Sequence, residues 1–298
     1  MSDFSRANVQ LEPNFCLGGR YVIDQWIDDG PLFSQYDAFD ERSERLRRTL
    51  RVVPLPRDEP SRASTLSEFL DAGRKCVSFD HPHILPVSDA FVEGDLLVTV
   101  TRHAPFGSLE QVLEGSGESI DEARVTRWGA QISRALAYLH ELKEPVDYLR
   151  ADFAHMRVLA PASILLDDAA GERVLLDCGF LPCVASAPGE MAFGATGYVP
   201  RECFGKARAH GPRSDLYSLG ATLFQLLTSE DPQDNPLLIF DFARNPKPSQ
   251  VNASITPAME ALLMRLVASD PQNRPESANA VAEELEEHGR RLAAGGNG

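Results

Sequence analysis

The stretch DLYSLGATLFQLLT, residues Asp215–Thr228, carries apolar side chains on nearly every face of the helix that it is predicted to form. A helix on the surface of a globular protein keeps a polar face for water, whereas a helix that is apolar all round is buried. The stretch is also far shorter than the roughly 20 apolar residues that a membrane-spanning helix needs. We therefore predict a central helix, buried inside a helical lobe.

Helical periodicity also marks the segments on either side of this helix. In Ala123–Leu142 the apolar residues recur at steps of three and four, the period of an amphipathic helix. Thr256 and Pro257 predict a helix start, because threonine caps helices and proline is favoured at the first helical position. A last, acidic helix is predicted at Ser277–Leu292.

The first hundred residues have a different pattern, in which short apolar runs alternate with turn residues. Five runs are typical of strands, and the last two, Ile84–Phe91 and Leu96–Thr101, are joined by a Glu-Gly-Asp turn. One helix is predicted between the third and fourth strands, at Ser64–Ser78. The first hundred residues are therefore predicted to form a five-stranded sheet with one helix.

Together these patterns predict an α+β fold with two lobes. We expect a loose N-terminal extension at residues 1–18 and a small five-stranded β lobe with one helix at residues 19–101. A larger, mainly helical lobe follows at residues 102–292, and residues 293–298 form a disordered tail.

The composition argues against several classes of protein. The 298 residues include 29 Lys and Arg against 44 Asp and Glu, and the net charge is −15. Such a charge repels phosphate backbones and anionic lipid surfaces, so we expect neither nucleic-acid nor membrane partners. The N-terminus lacks the apolar core of a signal peptide, and the five cysteines form no C-x-x-C pair. These features favour a cytoplasmic protein with reduced thiols.

Six strings in this chain, in this order, resemble the protein kinase family, and particularly its bacterial Ser/Thr branch. The resemblance covers residues 19–292 and implies a two-lobed, protein-kinase-like fold. The strings are Asp80–Val87, Ala137–His140, Ser163–Asp167, Leu175–Gly179, Ser214–Gly220 and Asp270–Pro275.

The residues that the resemblance assigns to nucleotide binding depart from the family pattern. Only Gly30 remains of three glycines that cradle phosphate, and Phe33 stands where the third would be. Arg51 stands in place of the family lysine, for which it is not an equivalent substitute, and Ala72 in place of its glutamate partner. The resemblance thus implies a degenerate nucleotide pocket. Its residues are Gly30, Gln35, Thr49, Arg51, Thr101, His103, Ala104, Leu165 and Asp177.

The catalytic loop departs from the pattern as well. Counting back from Pro161 puts Val158 at the position of the catalytic base, and valine cannot accept a proton. Asp152, in an insertion before this loop, is a candidate for a displaced base. Asp177 is retained as a magnesium ligand only if a magnesium–nucleotide binds, because one carboxylate makes a poor metal site alone. We therefore expect no cofactor, with ATP and magnesium bound weakly or not at all.

The residues that the resemblance assigns to the frame of the fold are kept. Glu202 and Arg274 match the family's buried ion pair, and Asp215 matches the aspartate that holds the backbone of the catalytic loop. The structural residues of the family are kept, whereas its catalytic residues are replaced. This pattern predicts a protein that retains the kinase fold without the kinase activity.

The sequence therefore predicts a pseudokinase: a kinase-like scaffold or regulatory module that binds proteins, such as an active kinase or a signalling complex, and is not an enzyme. One alternative is an unorthodox Ser/Thr kinase, or another nucleotide transferase, with a rearranged catalytic loop. A second alternative is a small-molecule sensor that uses the cleft between the lobes.

Overall fold

The computed structural model of this chain describes residues 9–29, 33–55, 59–142, 159–178, 197–203, 211–236 and 238–295. The contacts among these residues define two compact units. The first unit contains residues 9–80 and 85–104, and the second contains residues 81–84 and the described residues from 105 onward.

The described part of the first unit contains a sheet and one helix. Its elements are β1 (Cys16–Leu17), β2 (Tyr21–Asp29), β3 (Ser34–Asp40), β4 (Leu46–Pro54), α1 (Glu59–Val77), β5 (Val87–Glu93) and β6 (Leu96–Arg102).

The described part of the second unit is mainly helical. Its elements are α2 (Leu109–Ser116), α3 (Glu122–His140), β7 (Ile164–Leu166), β8 (Val174–Leu176), α4 (Pro212–Thr228), α5 (Pro248–Val251), α6 (Pro257–Leu266) and α7 (Ala278–Gly295). The kinase-like α+β class predicted from the sequence is confirmed.

The sheet of the first unit is antiparallel, with the strand order β1-β2-β3-β4-β6-β5. It has six strands rather than the predicted five, because the short β1 adds an edge strand. One face carries a compact apolar core in which no side chain is more than 1% exposed. The core residues are Leu17, Tyr21, Ile23, Tyr36, Ala38, Leu50, Val52, Val98 and Val100.

Residues 9–17 pack against this core, in contrast to the loose extension that the sequence predicted. Val9 and Leu11 cover part of the apolar face. The backbone amide of Leu11 donates to the hydroxyl oxygen of Tyr36 at 3.1 Å, and the amide of Asn14 donates to the carbonyl of Ile23 at 2.8 Å. The sequence did not predict this packing, because residues 9–17 are too short a segment for hydrophobic periodicity to distinguish a packed segment from a mobile tail.

The central helix of the second unit is α4, and it is buried along nearly its whole length as the sequence predicted. It begins at Pro212, three residues before the predicted start, since proline suits the first helical turn. At its middle, Gly220 lets α6 approach so closely that an added Cβ would lie 2.5 Å from Cβ of Leu266.

Helix α7 packs along α3 on another side of this unit, and it continues to Gly295 rather than ending at residue 292. The guanidinium of Arg134 on α3 donates to both carboxylate oxygens of Glu286 on α7 at 2.8 Å. This paired bond lowers the pKa of Glu286 below its usual range. Among the described residues, no helix is both long enough and apolar enough to cross a bilayer.

Candidate functional site

The sheet of the first unit has a polar face opposite its apolar core. Side chains alternate between the two faces of a strand, so the neighbours of the core residues point to this second face. The register aligns Asp37 with Thr49, and Thr49 with Thr101, in a row across β3, β4 and β6. All three side chains are less than one-tenth exposed. Two of them, Thr49 and Thr101, belong to the nucleotide pocket predicted from the sequence.

The imidazole of His103, which follows β6, lies against this polar row. Its Nδ1 is 3.3 Å from Oγ1 of Thr49, in hydrogen-bond geometry, and 3.0 Å from Oδ1 of Asp37. The other carboxylate oxygen of Asp37 accepts from Nε2 of Gln25 at 3.2 Å and from the guanidinium of Arg47 at 3.3 Å. One oxygen of the buried carboxylate therefore accepts from donors on β2 and β4, and the His103 ring lies beside the other oxygen.

Arg51, at the position of the family lysine, contacts Gln35 on β3 and Phe33 just before β3. Its Nε donates to Oε1 of Gln35 at 3.3 Å. Its guanidinium carbon lies 5.2 Å from the centre of the Phe33 ring, within the range of a cation–π contact. Phe33, which replaces a glycine of the family pattern, thus holds the arginine in place. Ala104 is half-buried and is the last of the described residues that belong to the first unit.

Two further pocket residues, Leu165 and Asp177, lie in the second unit on the β7–β8 hairpin. Leu165 is central in β7, and Asp177 directly follows β8. The backbone amide of Asp177 donates to the carbonyl of Ser163 at 2.9 Å. Asp177 and Ser163 therefore lie side by side at one end of the hairpin. The Ser163 hydroxyl donates to the carbonyl of Ala160 at 2.9 Å, so it is already used in the local turn.

For a magnesium ion, this end of the hairpin offers one carboxylate ligand, that of Asp177. The described residues contain no group of three or more His, Cys, Asp or Glu side chains that could hold a metal ion. Magnesium is usually bound through one or two carboxylates together with substrate phosphates, and not by an all-protein cage. Asp177 therefore suits an ion that arrives with a nucleotide.

Asp215, at the start of α4, contacts the end of α3. Its Oδ2 lies 2.8 Å from Nε2 of His140, and both side chains are about nine-tenths buried. Of the catalytic loop that Asp215 is predicted to hold, the residues before 159 lie outside the described residues. The same is true of Val158 and Asp152, so their predicted roles stay predictions, as does that of Gly30.

The ion pair of Glu202 and Arg274 is buried and well bonded. The two guanidinium nitrogens of Arg274 donate to the two carboxylate oxygens at 2.5 and 3.1 Å, and the Arg274 side chain is fully buried. Arg274 also donates to the carbonyls of Ala268 and Arg213, and it lies over the ring of Tyr217. Burial raises the pKa of Tyr217 to about 12, although the nearby Arg274 charge opposes the shift.

Sequence reasoning missed Asp37. An acid at an inward position of a strand, between apolar residues such as Tyr36 and Ala38, was the available signal. It was not used because the strand register that puts Asp37 beside Thr49 is a property of the folded sheet.

It also missed a buried cluster in the second unit, formed by Glu122, Thr256 and His288. One Glu122 oxygen lies 2.6 Å from Nε2 of His288 and accepts from the Thr256 hydroxyl at 2.7 Å. The three residues are far apart in the sequence, and their contact joins the N-terminal ends of α3 and α6 to α7.

The comparisons with known proteins place this fold in a family. The protein kinase domain model matches residues 59–286, more than half of the chain. The chain therefore belongs to the protein kinase family. The match begins after β4, so the segment with Phe33 and Arg51 lies outside it.

Two curated relatives illustrate the similarity. A probable serine/threonine-protein kinase of Streptomyces coelicolor is 27% identical over 91% of this chain and 40% of the relative. The serine/threonine-protein kinase PknJ of Mycobacterium bovis is 30% identical over 88% of this chain and 44% of the relative. The chain thus spans less than half the length of these relatives.

A solved structure agrees on the fold. The kinase domain of Mycobacterium tuberculosis PknI matches with a TM-score of 0.69 at 20% identity, covering 93% of this chain and 99% of that domain.

These findings contradict the prediction that the chain is a pseudokinase and not an enzyme. The curated relatives that align along almost the whole chain are named as kinases, and they favour the alternative of an unorthodox kinase. The error came from judging activity by single aligned positions. Val158 was assigned to the base position by counting from Pro161, next to a segment with an insertion. The absence of a base at that position does not exclude a catalytic base from another position in the chain.

Proposed function

We propose that this chain is an unorthodox Ser/Thr protein kinase that transfers the γ-phosphoryl group of a nucleotide to a hydroxyl of a protein substrate. Membership of the kinase family supports the reaction class. The altered motifs indicate that the catalytic residues differ from those of a typical kinase. The protein partner expected from the sequence becomes the substrate in this proposal.

The observation that carries the proposal is the β7–β8 hairpin. Asp177 follows β8 and its amide is bonded to Ser163, which precedes β7. Phosphoryl transfer depends mainly on positioning and on neutralising phosphate charge, so a rigid hairpin that ends in a carboxylate is the most useful part to retain. A magnesium ion held there by Asp177 would neutralise charge on the phosphates.

We assign roles in the proposed reaction to two other residues. Arg51, held by Gln35 and Phe33, supplies a fixed positive charge for phosphate oxygens. We assign the base to Asp152, because its carboxylate can accept the proton of the acceptor hydroxyl and Val158 cannot. A base contributes about 10²–10⁴-fold to such rates, so a displaced base is consistent with slow turnover.

We further propose that the nucleotide is held loosely. One carboxylate and an arginine replace a site that normally has two metal-ligand side chains and a lysine–glutamate pair. Weak binding remains compatible with catalysis when the nucleotide is abundant.

The test is transfer of label from γ-phosphate-labelled ATP, with magnesium, to the chain itself and to a generic Ser/Thr protein substrate. We expect slow incorporation by the unaltered chain and its loss, by at least about 100-fold, in Asp177→Asn and in Asp152→Asn.

The matched control is Asp168→Asn, an identical change in the β7–β8 turn. Asp168 accepts from the backbone amides of Glu172 and Arg173, so this variant tests turn structure without touching Asp177. Incorporation that is equal in the unaltered chain and in Asp177→Asn, or that is absent throughout, would refute the proposal.

A further inference from the structure

The contact of the His103 ring with Thr49 and Asp37, called here the His103 latch, lies on the sheet face that carries the predicted nucleotide pocket. We propose that this latch is an autoinhibitory contact: His103 covers Thr49, a residue of the predicted nucleotide pocket, and a nucleotide binds only when the ring is displaced. The inference rests on the proposed function and adds to it a reason for weak nucleotide binding.

The distances leave no room for the base of a nucleotide beside Thr49 while the latch is closed. Nδ1 of His103 lies 3.3 Å from Oγ1 of Thr49, which is hydrogen-bond contact. Non-bonded heavy atoms of a stacked ring need about 3.5–4.0 Å, so no further layer fits between the imidazole and this side chain. A base that is to contact Thr49 must first displace the ring.

Asp37 makes the closed position favourable. Its side chain is 6% exposed, and its Oδ1, which accepts no hydrogen bond from the described residues, lies 3.0 Å from Nδ1 of His103. A buried carboxylate oxygen without any polar neighbour is costly. Moving the ring away removes this polar neighbour from the oxygen, so the open state is the less populated one.

A minor open state lowers the apparent affinity of any ligand that needs it, in proportion to its population. Asp37 stands on β3 and Thr49 on β4, both within the sheet, while His103 stands just beyond the end of β6. The two anchors thus belong to paired strands, whereas His103 lies outside the paired part of β6. The side chain of His103 is 22% exposed, so it has a solvent-facing side towards which it can move.

The experiment measures the dissociation constant of magnesium–ATP by calorimetry for the unaltered chain and for His103→Ala. We expect His103→Ala to bind about tenfold more tightly, equivalent to about 1.4 kcal/mol. The matched control is His83→Ala, which removes another imidazole whose Nδ1 lies 3.1 Å from a carbonyl oxygen, that of Val174, in the second unit. The control should bind ATP as the unaltered chain does.

A second variant keeps the proposal testable if His103→Ala does not fold. Thr49→Ala removes one anchor of the latch, and it should tighten binding several-fold. Unchanged or weaker ATP binding in folded His103→Ala, or in Thr49→Ala if the former does not fold, overturns the latch. Equal tightening in His83→Ala overturns it too.

Binding and transfer separate the two proposals. If His103→Ala binds ATP more tightly but no variant transfers label, the latch stands and the proposed kinase activity falls. If label is transferred but His103→Ala does not bind ATP more tightly, the latch alone falls.

Discussion

At the residue scale, burial distinguishes Arg274, which holds the frame of the fold, from Asp177, to which we assign a chemical role. Arg274 is fully enclosed and donates to Glu202 and to two backbone carbonyls. Asp177 is half-buried at the end of a hairpin. Removing the partner of a buried charge costs far more free energy than removing the partner of a charge that water can solvate.

We therefore expect Arg274→Ala to lower the free energy of unfolding by about 3–5 kcal/mol, because Glu202 is left without its partner. Asp177→Ala should cost less. Urea denaturation of each variant measures the difference. The control is Arg213→Ala, whose side chain donates to Gln272 near the surface and should cost below about 1 kcal/mol. A larger loss in Asp177→Ala than in Arg274→Ala would contradict this ranking.

A second prediction at this scale concerns acid stability. The guanidinium of Arg20 donates to both oxygens of the buried Asp40 at 2.7 Å, and it lowers the pKa of Asp40 from 3.8 to about 2. Because the folded-state pKa is depressed, the pair stabilises the protein above the unfolded-state pKa, and this contribution is lost as the pH falls from about 4 to about 2.

We expect Asp40→Asn to be less stable than the unaltered chain at pH 7 and to approach it near pH 2. Free energies of unfolding measured across this range should therefore depend less steeply on pH in the variant. Two parallel pH curves would show that Asp40 does not contribute to acid sensitivity.

At the element scale, two helix glycines have opposite roles. Gly220 in α4 lies against α6, where an added Cβ would meet Cβ of Leu266 at 2.5 Å. Gly289 in α7 is open, and an added Cβ would meet only a methyl group of Thr126 at 3.6 Å. The first glycine is required by close packing, whereas the second only weakens its helix.

We expect Gly220→Ala to destabilise the protein by about 1–3 kcal/mol, because the two helices must separate. Gly289→Ala is the matched control and should stabilise it by up to about 1 kcal/mol, since alanine favours the helix more than glycine does. Thermal melting curves distinguish the two. A neutral Gly220→Ala would mean that α4 and α6 can shift apart freely.

At the scale of the whole molecule, the net charge of −15 determines which proteins approach it readily. A strongly acidic protein attracts basic partners and repels acidic ones over a distance that salt shortens, to about 10 Å at 0.1 M. Acidic groups also cluster locally in the second unit. Burial, and then the charges of Glu114 and Asp231, raise the pKa of Glu110.

If the proposed kinase activity holds, a basic protein substrate should be labelled faster than an acidic one of similar size. The advantage should shrink as ionic strength rises from about 0.02 to about 0.5 M, because screening removes long-range attraction. Initial rates of labelling at both salt concentrations measure this. An advantage that is insensitive to salt would point to local contacts instead of net charge.

The fold could be predicted from the sequence because its signals are local or ordered along the chain. The apolar composition of residues 215–228 identified the buried α4, and the periodicity of residues 123–142 identified α3, each within a few residues of its observed bounds. The resemblance matched Glu202 and Arg274 to the family's buried ion pair, and in the structure Nη1 of Arg274 lies 2.5 Å from Oε1 of Glu202.

The tertiary structure alone decided which polar side chains meet. Asp37, Thr49 and His103 come from three segments, and so do Glu122, Thr256 and His288. Their contacts depend on strand register and helix packing, which leave no periodic trace in the sequence. The packing of residues 9–17 on the sheet was equally hidden, because an isolated apolar residue is buried only when a partner surface exists. Local propensity acts between neighbours in the chain, whereas these contacts form between residues that only the folded chain brings together.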